Sequence, residues 1–251
     1  MFAPFVTAFR TLTIVRVPGK ETKEFPLSIV GFPLVGMFLG GVVWVFSSAA
    51  DLRGPSSASL FALLALATES TLTGALHLDG LGDCFDAFPG RKDRSRILEI
   101  LNDSRMGTFG VCAIVFDLLF KFFLWRFWFE HATVWIICLS LVLSRTMQGT
   151  LLITMPNARK EGIAAAFAGL HQRRYKILGG MLLSIVGLFA IFVSPTVWIA
   201  IGSLLAAFIV TTLWALFCGK KIGGITGDCL GAANELVEVA VLLTAALIWM
   251  S

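Results

Sequence analysis

Three aspartates lie at helical spacing in the segment His77–Asp86, directly after a long apolar run. Asp79, Asp83 and Asp86 occupy positions i, i+4 and i+7, so on a helix their side chains share one face, with neighbouring Cβ atoms about 5–6 Å apart. Like charges this close repel unless a divalent cation neutralises them, and Mg²⁺ takes a few carboxylates together with substrate phosphate oxygens. The spacing predicts a metal–phosphate site. The alternative is a solvated helix start whose acids complement the helix dipole.

A second acidic segment lies near the C-terminus. Thr226 is a typical N-cap residue, so a helix is predicted to begin at Gly227. Four residues of that helix would form one stripe: Asp228, Gly231, Glu235 and Glu238. Its glycines allow a neighbouring backbone or a phosphate to approach closely. We therefore predict that the stripe packs against the helix entry at 77–86, with Asp228 and Glu235 facing the same cavity as the aspartate triad.

Polar residues in two connecting loops add further candidates. Asp103 can reach the metal cluster, and Arg105 offers a planar guanidinium suited to a phosphate; the alternative for the two is a helix cap and a topology-setting arginine. Arg159 can clamp an anionic substrate, although juxtamembrane arginines are usually topology anchors. His77, directly before the triad, either orients a carboxylate or contacts phosphate, or else serves as an interfacial anchor.

These segments must be positioned by a membrane protein. Hydrophobic residues make up 57% of the 251 residues and charged residues only 14%, and the mean hydropathy is +0.86, which excludes an ordinary soluble domain. We predict an all-α, polytopic helical bundle that forms a single domain over 1–251. Seven apolar stretches are long enough to cross a hydrocarbon core of about 30 Å: 27–49, 57–76, 107–128, 132–152, 177–194, 196–217 and 227–250.

The basic residues predict how the spans are oriented. Sixteen of the 20 Lys and Arg residues lie in four alternate segments: 1–26, 77–106, 153–176 and 218–226. By the positive-inside rule the N-terminus and these loops are cytoplasmic, and the C-terminus is outside. The net charge of +4 is thus a topology signal, and no nucleic-acid partner is expected. Residues 1–26 fit a short helix at the membrane interface, or a frayed start.

Several ionisable residues fall inside the predicted spans. A carboxylate near the bilayer centre costs about 2.5 kcal/mol or more, so Glu69, Glu235 and Glu238 should face protein, metal or water. One of them could pair with Arg145 on another span. Asp117 and Lys121, four residues apart, are predicted to form an ion pair within one helix.

Three segments together closely resemble the cobalamin synthase family, also called adenosylcobinamide-GDP ribazoletransferases. They are Thr73–Asp83, Asn102–Gly110 and Gly223–Ala232, in that order in the chain. The segment Asn157–Gly162 also resembles the basic loop of that family. There are two departures, Ala75 where a second glycine is usual and Gly82 where alanine is common, and neither removes a carboxylate.

The resemblance implies a reaction. Adenosylcobinamide-GDP and α-ribazole, or its 5′-phosphate, would be joined with release of GMP, using Mg²⁺ at the cytoplasmic face of the bacterial inner membrane. Asp79, Asp83, Asp86 and Arg105 would be catalytic. The metal ligands would come from seven residues: Asp79, Asp83, Asp86, Glu69, Asp103, Asp228 and Glu235. Substrate would contact six: His77, Ser104, Arg105, Arg159, Thr226 and Asn234.

Two other functions are weighed against this one. Membrane prenyltransferases and CDP-alcohol phosphotransferases also use carboxylate clusters, but both lack the Thr-Gly-Asp-x-x-Gly-Ala segment at 226–232. An ion-coupled transporter would carry charges near mid-span, whereas here they gather toward one side. Besides the substrates and the lipid bilayer, a homo-oligomer or a complex with other enzymes of the same pathway stays open as a partner.

Overall fold

The computed structural model describes residues 2–167, 172–194 and 196–251. These residues form helices, two 3₁₀ turns at Phe25–Gly31 and Pro55–Ser57, and no β-strand. The helices are α1 (Ala3–Leu12), α2 (Phe32–Asp51), α3 (Ala58–Leu72), α4 (Leu76–Ala87), α5 (Arg94–Ile100), α6 (Thr108–Glu130), α7 (Trp135–Thr154), α8 (Ile163–Ala166), α9 (Arg173–Val193), α10 (Val197–Ile222) and α11 (Gly227–Trp249). The predicted all-α class is confirmed.

Six helical segments in the described part of the chain are long and apolar enough to cross a membrane. They are Phe25–Asp51, α6, α7, Arg173–Phe192, α10 and α11. Large apolar side chains point outward from them, among them Phe116 and Phe123 on α6 and Leu213 and Leu216 on α10. An aqueous surface would not carry so continuous an apolar face, so the chain is a multi-pass membrane protein.

The predicted span at 57–76 differs from the other spans. α3 ends at Leu72, and α4 continues at an angle of 83° to it. Gly74 and Ala75 both adopt left-handed backbone conformations, with φ of 61° and 55°, and two such residues in succession turn the chain out of the helix. The described residues therefore hold six such helices, or seven if the bent pair counts as one span, which agrees with the predicted number of about seven.

α7 lies at the centre of the bundle and packs against α2, α9, α10 and α11. Its closest neighbour is α2, because Gly36 leaves room there for the backbone of Leu141, against which a Cβ would collide. The same contact continues at Gly40, which lies against Cys138. Small residues at helix crossings allow this approach in membranes. The neighbouring helices therefore pack around α7.

Two short helices lie outside the spans, and the first is the one predicted within residues 1–26. α1 buries Val6, Ala8 and Leu12 against the following 3₁₀ turn, while Phe2 is 75% exposed, as suits a helix at a membrane interface. α5 begins after Asp93, whose carboxylate accepts a hydrogen bond from the backbone N–H of Arg96. This N-cap starts the helix inside the basic segment 77–106.

Candidate functional site

α4 and α11 cross at two glycines. A Cβ on Gly80 would come within 2.7 Å of the carbonyl oxygen of Asp228, and a Cβ on Gly231 would come within 3.1 Å of that of His77. The predicted packing of the last span against 77–86 is confirmed. α11 begins where predicted, because the Thr226 hydroxyl accepts a hydrogen bond of 3.3 Å from the backbone N–H of Cys229. The crossing brings the two acidic segments together.

Carboxylates from both helices gather beside this crossing. Asp79 and Asp83 project from α4, and the charges of Asp79, Asp86 and Asp228 all act on Asp83. The Arg159 guanidinium lies 3.7 Å from the Asp228 carboxylate, and the Thr226 hydroxyl donates to the same carboxylate at 3.1 Å. The cluster is partly open, so an incoming cation and an anionic substrate can both reach it.

A cavity of about 210 Å³ opens beside the cluster. Five predicted site residues line it, namely His77, Asp79, Arg159, Thr226 and Asp228. The rest of its wall is largely apolar and comes from α1, α2, α7, α8 with the residue after it, the loop before α11, and α11: Leu12, Phe32, Leu152, Ala164, Phe167, Ile225 and Leu230, together with the polar Thr11, Gln148 and Glu161. The cavity is therefore charged at one end and apolar at the other. We call these the acidic end, with Asp79, Arg159 and Asp228, and the apolar end, with Phe32, Leu152, Phe167 and Leu230.

The loop that carries Arg159 is held by the backbone. Ala158 N–H donates to Ile225 O at 2.8 Å, and Ile225 N–H donates to Pro156 O at 2.9 Å. A Cβ on Gly224 would collide with that Pro156 carbonyl, so only glycine fits there. The pairing brings the basic loop against the start of α11 and aims Arg159 at the acidic end.

Arg94 joins the same loop to α10 and was not predicted. Its Nε donates to Ile222 O at 2.7 Å, and its Nη2 donates to Ala158 O at 2.9 Å. Arg159 itself donates to Leu98 O on α5 at 3.0 Å. In the sequence Arg94 is one of several basic residues in a cytoplasmic loop, and nothing in its local pattern distinguishes a structural role from a topology signal.

Asp86 has a different role from the other two members of the triad. Its carboxylate accepts hydrogen bonds from the backbone N–H groups of Gly107 at 2.6 Å and Gly110 at 2.9 Å. These are free donors at the start of α6, and a carboxylate also complements the helix dipole there. A Cβ on Gly110 would collide with this carboxylate. Asp86 therefore caps α6, and the prediction that it is a metal ligand is not supported by its placement.

Asp103 and Arg105 bind each other. Arg105 Nη2 donates to Asp103 Oδ2 at 2.6 Å and its Nε donates to Oδ1 at 3.0 Å, and this pairing lowers the pKa of Asp103 to about 2. The Arg105 side chain is 87% exposed, and its neighbour Ser104 is also exposed. The three residues do not line the cavity. Their predicted roles in metal and substrate binding are not supported by this placement.

Glu69, Asn234 and Glu235 lie in a separate buried cluster between α3, α6, α7 and α11. Arg145 Nη2 donates to Glu69 at 2.8 Å and also contacts Glu238, so the predicted pairing with Arg145 is confirmed. Lys121 contacts Glu235 and lies 2.7 Å from Glu238. Asn234 donates to Glu238 at 2.8 Å.

The same lysine lies 3.8 Å from Asp117, which confirms the ion pair predicted within α6. Arg145 and Lys121 already neutralise Glu69 and Glu235, so the predicted role of these two acids as metal ligands is not supported by their placement. Asn234 is fully buried among them and does not line the cavity. The cluster is a structural core inside the bundle.

The residues present suit Mg²⁺ only in part. Across residues 2–167, 172–194 and 196–251, no three acidic, histidine or cysteine side chains form a complete ligand group. Mg²⁺ is commonly held by one or two carboxylates, with substrate phosphate and water completing the octahedron. Asp79, Asp83 and Asp228, whose mutual repulsion Arg159 only partly offsets, are the donors that fit such a site.

The comparisons with known proteins cover nearly the whole chain. Residues 4–246 match the model of the cobalamin-5-phosphate synthase family. The adenosylcobinamide-GDP ribazoletransferase of Chlorobaculum parvum is 40% identical over 254 residues, which is all of this chain and 97% of that protein. The protein of the same name from Pseudomonas entomophila is 38% identical, over 97% of this chain and 98% of its own length. No solved structure matches.

These matches agree with the family-like segments, of which two of the three main ones and the basic loop reach the cavity. Thr73–Asp83 and Gly223–Ala232 contribute Asp79 and Asp228 to one cavity, and Asn157–Gly162 adds Arg159. The relatives are transferases by name, so neither a transporter nor a different membrane transferase is favoured. The chain belongs to the cobalamin-5-phosphate synthase family.

Proposed function

We propose that this protein joins adenosylcobinamide-GDP to α-ribazole, or to α-ribazole 5′-phosphate, and releases GMP. The observation that carries the proposal is the convergence of Asp79, Asp228 and Arg159 from three distant segments at one end of a single cavity. A pyrophosphate needs that combination of anionic metal ligands and a cationic guanidinium. The product is adenosylcobalamin, or its 5′-phosphate.

The proposed reaction forms one bond and breaks one. A ribose hydroxyl of the acceptor attacks the phosphorus that carries cobinamide, and the bond from this phosphorus to the bridging oxygen of GMP breaks. GMP leaves with that electron pair, and the hydroxyl proton passes to a base. Asp79 lines the cavity and carries no cationic partner among the described residues, so its carboxylate is free to bind a cation, and solvent at the partly open acidic end takes the proton. Phosphoryl transfer otherwise depends on positioning and on charge neutralisation.

Asp79, Asp83 and Asp228 would hold Mg²⁺ in this proposal. When bound, the ion neutralises charge on the pyrophosphate oxygens. Arg159 binds phosphate oxygens, and its hydrogen bond to Leu98 O on α5 holds it in position. Arg105 is not included among the phosphate-binding residues, because its guanidinium is paired with Asp103 at the surface.

The site is proposed to face the cytoplasm from a bacterial inner membrane. The cavity lies between the start of α11 and the connection after α7, and α5 packs beside them. These connections carry most of the basic residues of the chain, and basic loops remain on the cytoplasmic side. Both substrates are large and polar, which also favours a site reached from the cytoplasm.

An assay of GMP release tests the proposal. Full-length protein in detergent is given adenosylcobinamide-GDP, α-ribazole and Mg²⁺, and each component is omitted in turn. GMP is expected only from the complete mixture, and Asp79→Asn should abolish its release. Asp51→Asn is the matched control, since Asp51 is an exposed aspartate at the far end of α2. Absence of GMP from the folded wild-type protein would overturn the proposal.

A further inference from the structure

The apolar end of the cavity has the lining of a site for a flat ring. Phe32 and Phe167 both line it, and their rings meet edge to face with centroids 5.9 Å apart. Phe25 packs edge to face on Phe167 at 4.8 Å and fixes its orientation. Leu152 and Leu230 also line the cavity. Aromatic pairs of this geometry present both edges and faces to a third ring.

Two buried polar side chains reach this end without a complete set of hydrogen bonds. Neither ring nitrogen of His77 has a hydrogen-bond partner among the described residues, and neither does Oε1 of Gln148. Gln148 Nε2 donates to Leu230 O at 3.1 Å, which turns its Oε1 away from that carbonyl. Both residues are 2% exposed and line the cavity. Buried polar atoms are nearly always satisfied, so these atoms indicate a ligand that donates to Gln148.

The size of the cavity limits what this ligand can be. Sites that enclose a drug-sized molecule measure about 300–1,000 Å³, and this cavity measures about 210 Å³. A two-ring heterocycle with part of its ribose fits such a space, whereas a corrin macrocycle does not. The corrinoid substrate must therefore stay outside, with only its pyrophosphate arm reaching the acidic end.

We infer that the apolar end binds the base and ribose of the acceptor nucleoside, with Gln148 and His77 as its hydrogen-bonding residues. This inference rests on the proposed function. In it, Gln148 Oε1 accepts a hydrogen bond from a ribose hydroxyl, and His77 donates to the free ring nitrogen of the base. The arrangement places the ribose between the base and the acidic end, where the attacking hydroxyl is needed.

The guanosine of the donor substrate is the other nucleoside that could enter. Guanine carries a ring N–H, an amino group and a carbonyl, and burying these without partners is costly. Gln148 and His77 are the polar side chains beside its Phe and Leu residues, whereas Glu161, a carboxylate that could pair with guanine, also lines the cavity and lies two residues after Arg159 in the basic loop. The benzimidazole base of α-ribazole has one free ring nitrogen and an otherwise apolar edge, so the acceptor matches the Phe and Leu wall better than guanine does.

Gln148→Met tests which nucleoside binds here, because it keeps the length of the side chain and removes the acceptor oxygen, together with the donor to Leu230 O. The KM values for α-ribazole and for adenosylcobinamide-GDP are measured separately, each with the other substrate saturating. We expect the KM for α-ribazole to rise about tenfold, as for the loss of one buried hydrogen bond, and the KM for adenosylcobinamide-GDP to stay unchanged.

Thr146→Val is the matched control. Thr146 is a buried polar residue on the same helix, its hydroxyl donates to Val142 O, and it does not line the cavity. Neither KM should change in this variant. Unchanged KM values in Gln148→Met, or a rise only for adenosylcobinamide-GDP, would overturn the inference while GMP release by wild type still supports the proposed function.

A second measurement covers the case in which Gln148→Met does not fold. Wild-type protein is assayed with ribosides of 5,6-dimethylbenzimidazole, benzimidazole and imidazole. The KM should rise stepwise as the apolar area of the base falls. Equal KM values across the three would mean that the base lies outside the apolar end, and the inference would then be wrong.

Discussion

The Arg159 guanidinium lies 3.7 Å from the carboxylate of Asp228 while it also donates to Leu98 O at 3.0 Å. One side chain thereby links α5, the loop after α7 and the start of α11. A planar fork holds its donors in fixed directions, whereas an ammonium group is a compact point charge with rotatable donors. The geometry makes this arginine a residue for which lysine is a poor substitute.

Arg159→Lys should therefore impair catalysis even though the charge is kept. We expect kcat/KM to fall roughly 10²-fold, the usual loss for one preorganised donor in a transition state. Initial rates of GMP release would measure it. Lys160→Gln is the control, since Lys160 is the exposed neighbour in the same loop. Comparable rates for Arg159→Lys and wild type would contradict a catalytic role for the Arg159 guanidinium.

The three aspartates of α4 should separate into two classes. Asp79→Asn and Asp83→Asn should abolish GMP release and leave the apparent Tm nearly unchanged, because neither side chain is predicted to support the fold. Asp86→Ala should lower the free energy of unfolding by about 1–2 kcal/mol, since it removes the cap of α6. Thermal unfolding in detergent and activity are measured side by side. A normal Tm for Asp86→Ala would contradict the capping role.

Gly80 should not tolerate a side chain. A Cβ there would lie 2.7 Å from Asp228 O, so Gly80→Ala must push α4 and α11 apart and separate Asp79 from Asp228. We expect a loss of about 1–3 kcal/mol in stability, as for overpacked cores, and a drop in activity of at least about tenfold.

Gly41→Ala is the matched control for this substitution, because no atom lies within 4 Å of a Cβ at that helical position in α2. It should be neutral in both assays. If Gly80→Ala behaved like Gly41→Ala, the close crossing of α4 and α11 would not be a requirement for catalysis.

The buried cluster should behave as a structural network. Lys121→Met leaves Glu235 and Glu238 without their ammonium partner, and breaking a buried pair typically costs about 3–5 kcal/mol. The double variant Lys121→Met/Glu235→Gln should recover part of this loss. Glu235→Gln alone should keep the Mg²⁺ concentration that gives half-maximal activity. A large shift in that Mg²⁺ concentration would indicate that Glu235 is a metal ligand.

The orientation of the chain depends on the bent pair α3–α4. α3 is about 22 Å long at 1.5 Å per residue, and with it as a crossing the N- and C-termini lie on opposite sides. We predict that cysteines placed at Arg53 and Ser251 are labelled from outside the cell, and that one at Lys160 is labelled only after permeabilisation. Labelling of Ser251 from the inside alone would make the bent pair re-entrant.

The local features of this molecule were determined by the sequence itself. Hydropathy located the helices that cross the membrane, the hydroxyl of Thr226 marked the start of α11, and spacing placed Asp79 and Asp83 on one face of α4. Each depends only on residues within a few turns of one another, where backbone geometry is regular. The family resemblance also comes from contiguous segments.

Which acidic residue does what was decided by the tertiary structure. Asp228, Glu235 and Glu238 share a stripe in the sequence, but α11 passes from the cavity into the interior of the bundle within two turns, so only Asp228 lines the cavity. Asp86 looks equivalent to Asp83 until α6 places its free N–H groups against it. The contributions of Gln148 and Arg94 depend on partners 82 and 128 residues away. No local pattern encodes such contacts, because they exist only once the helices have packed.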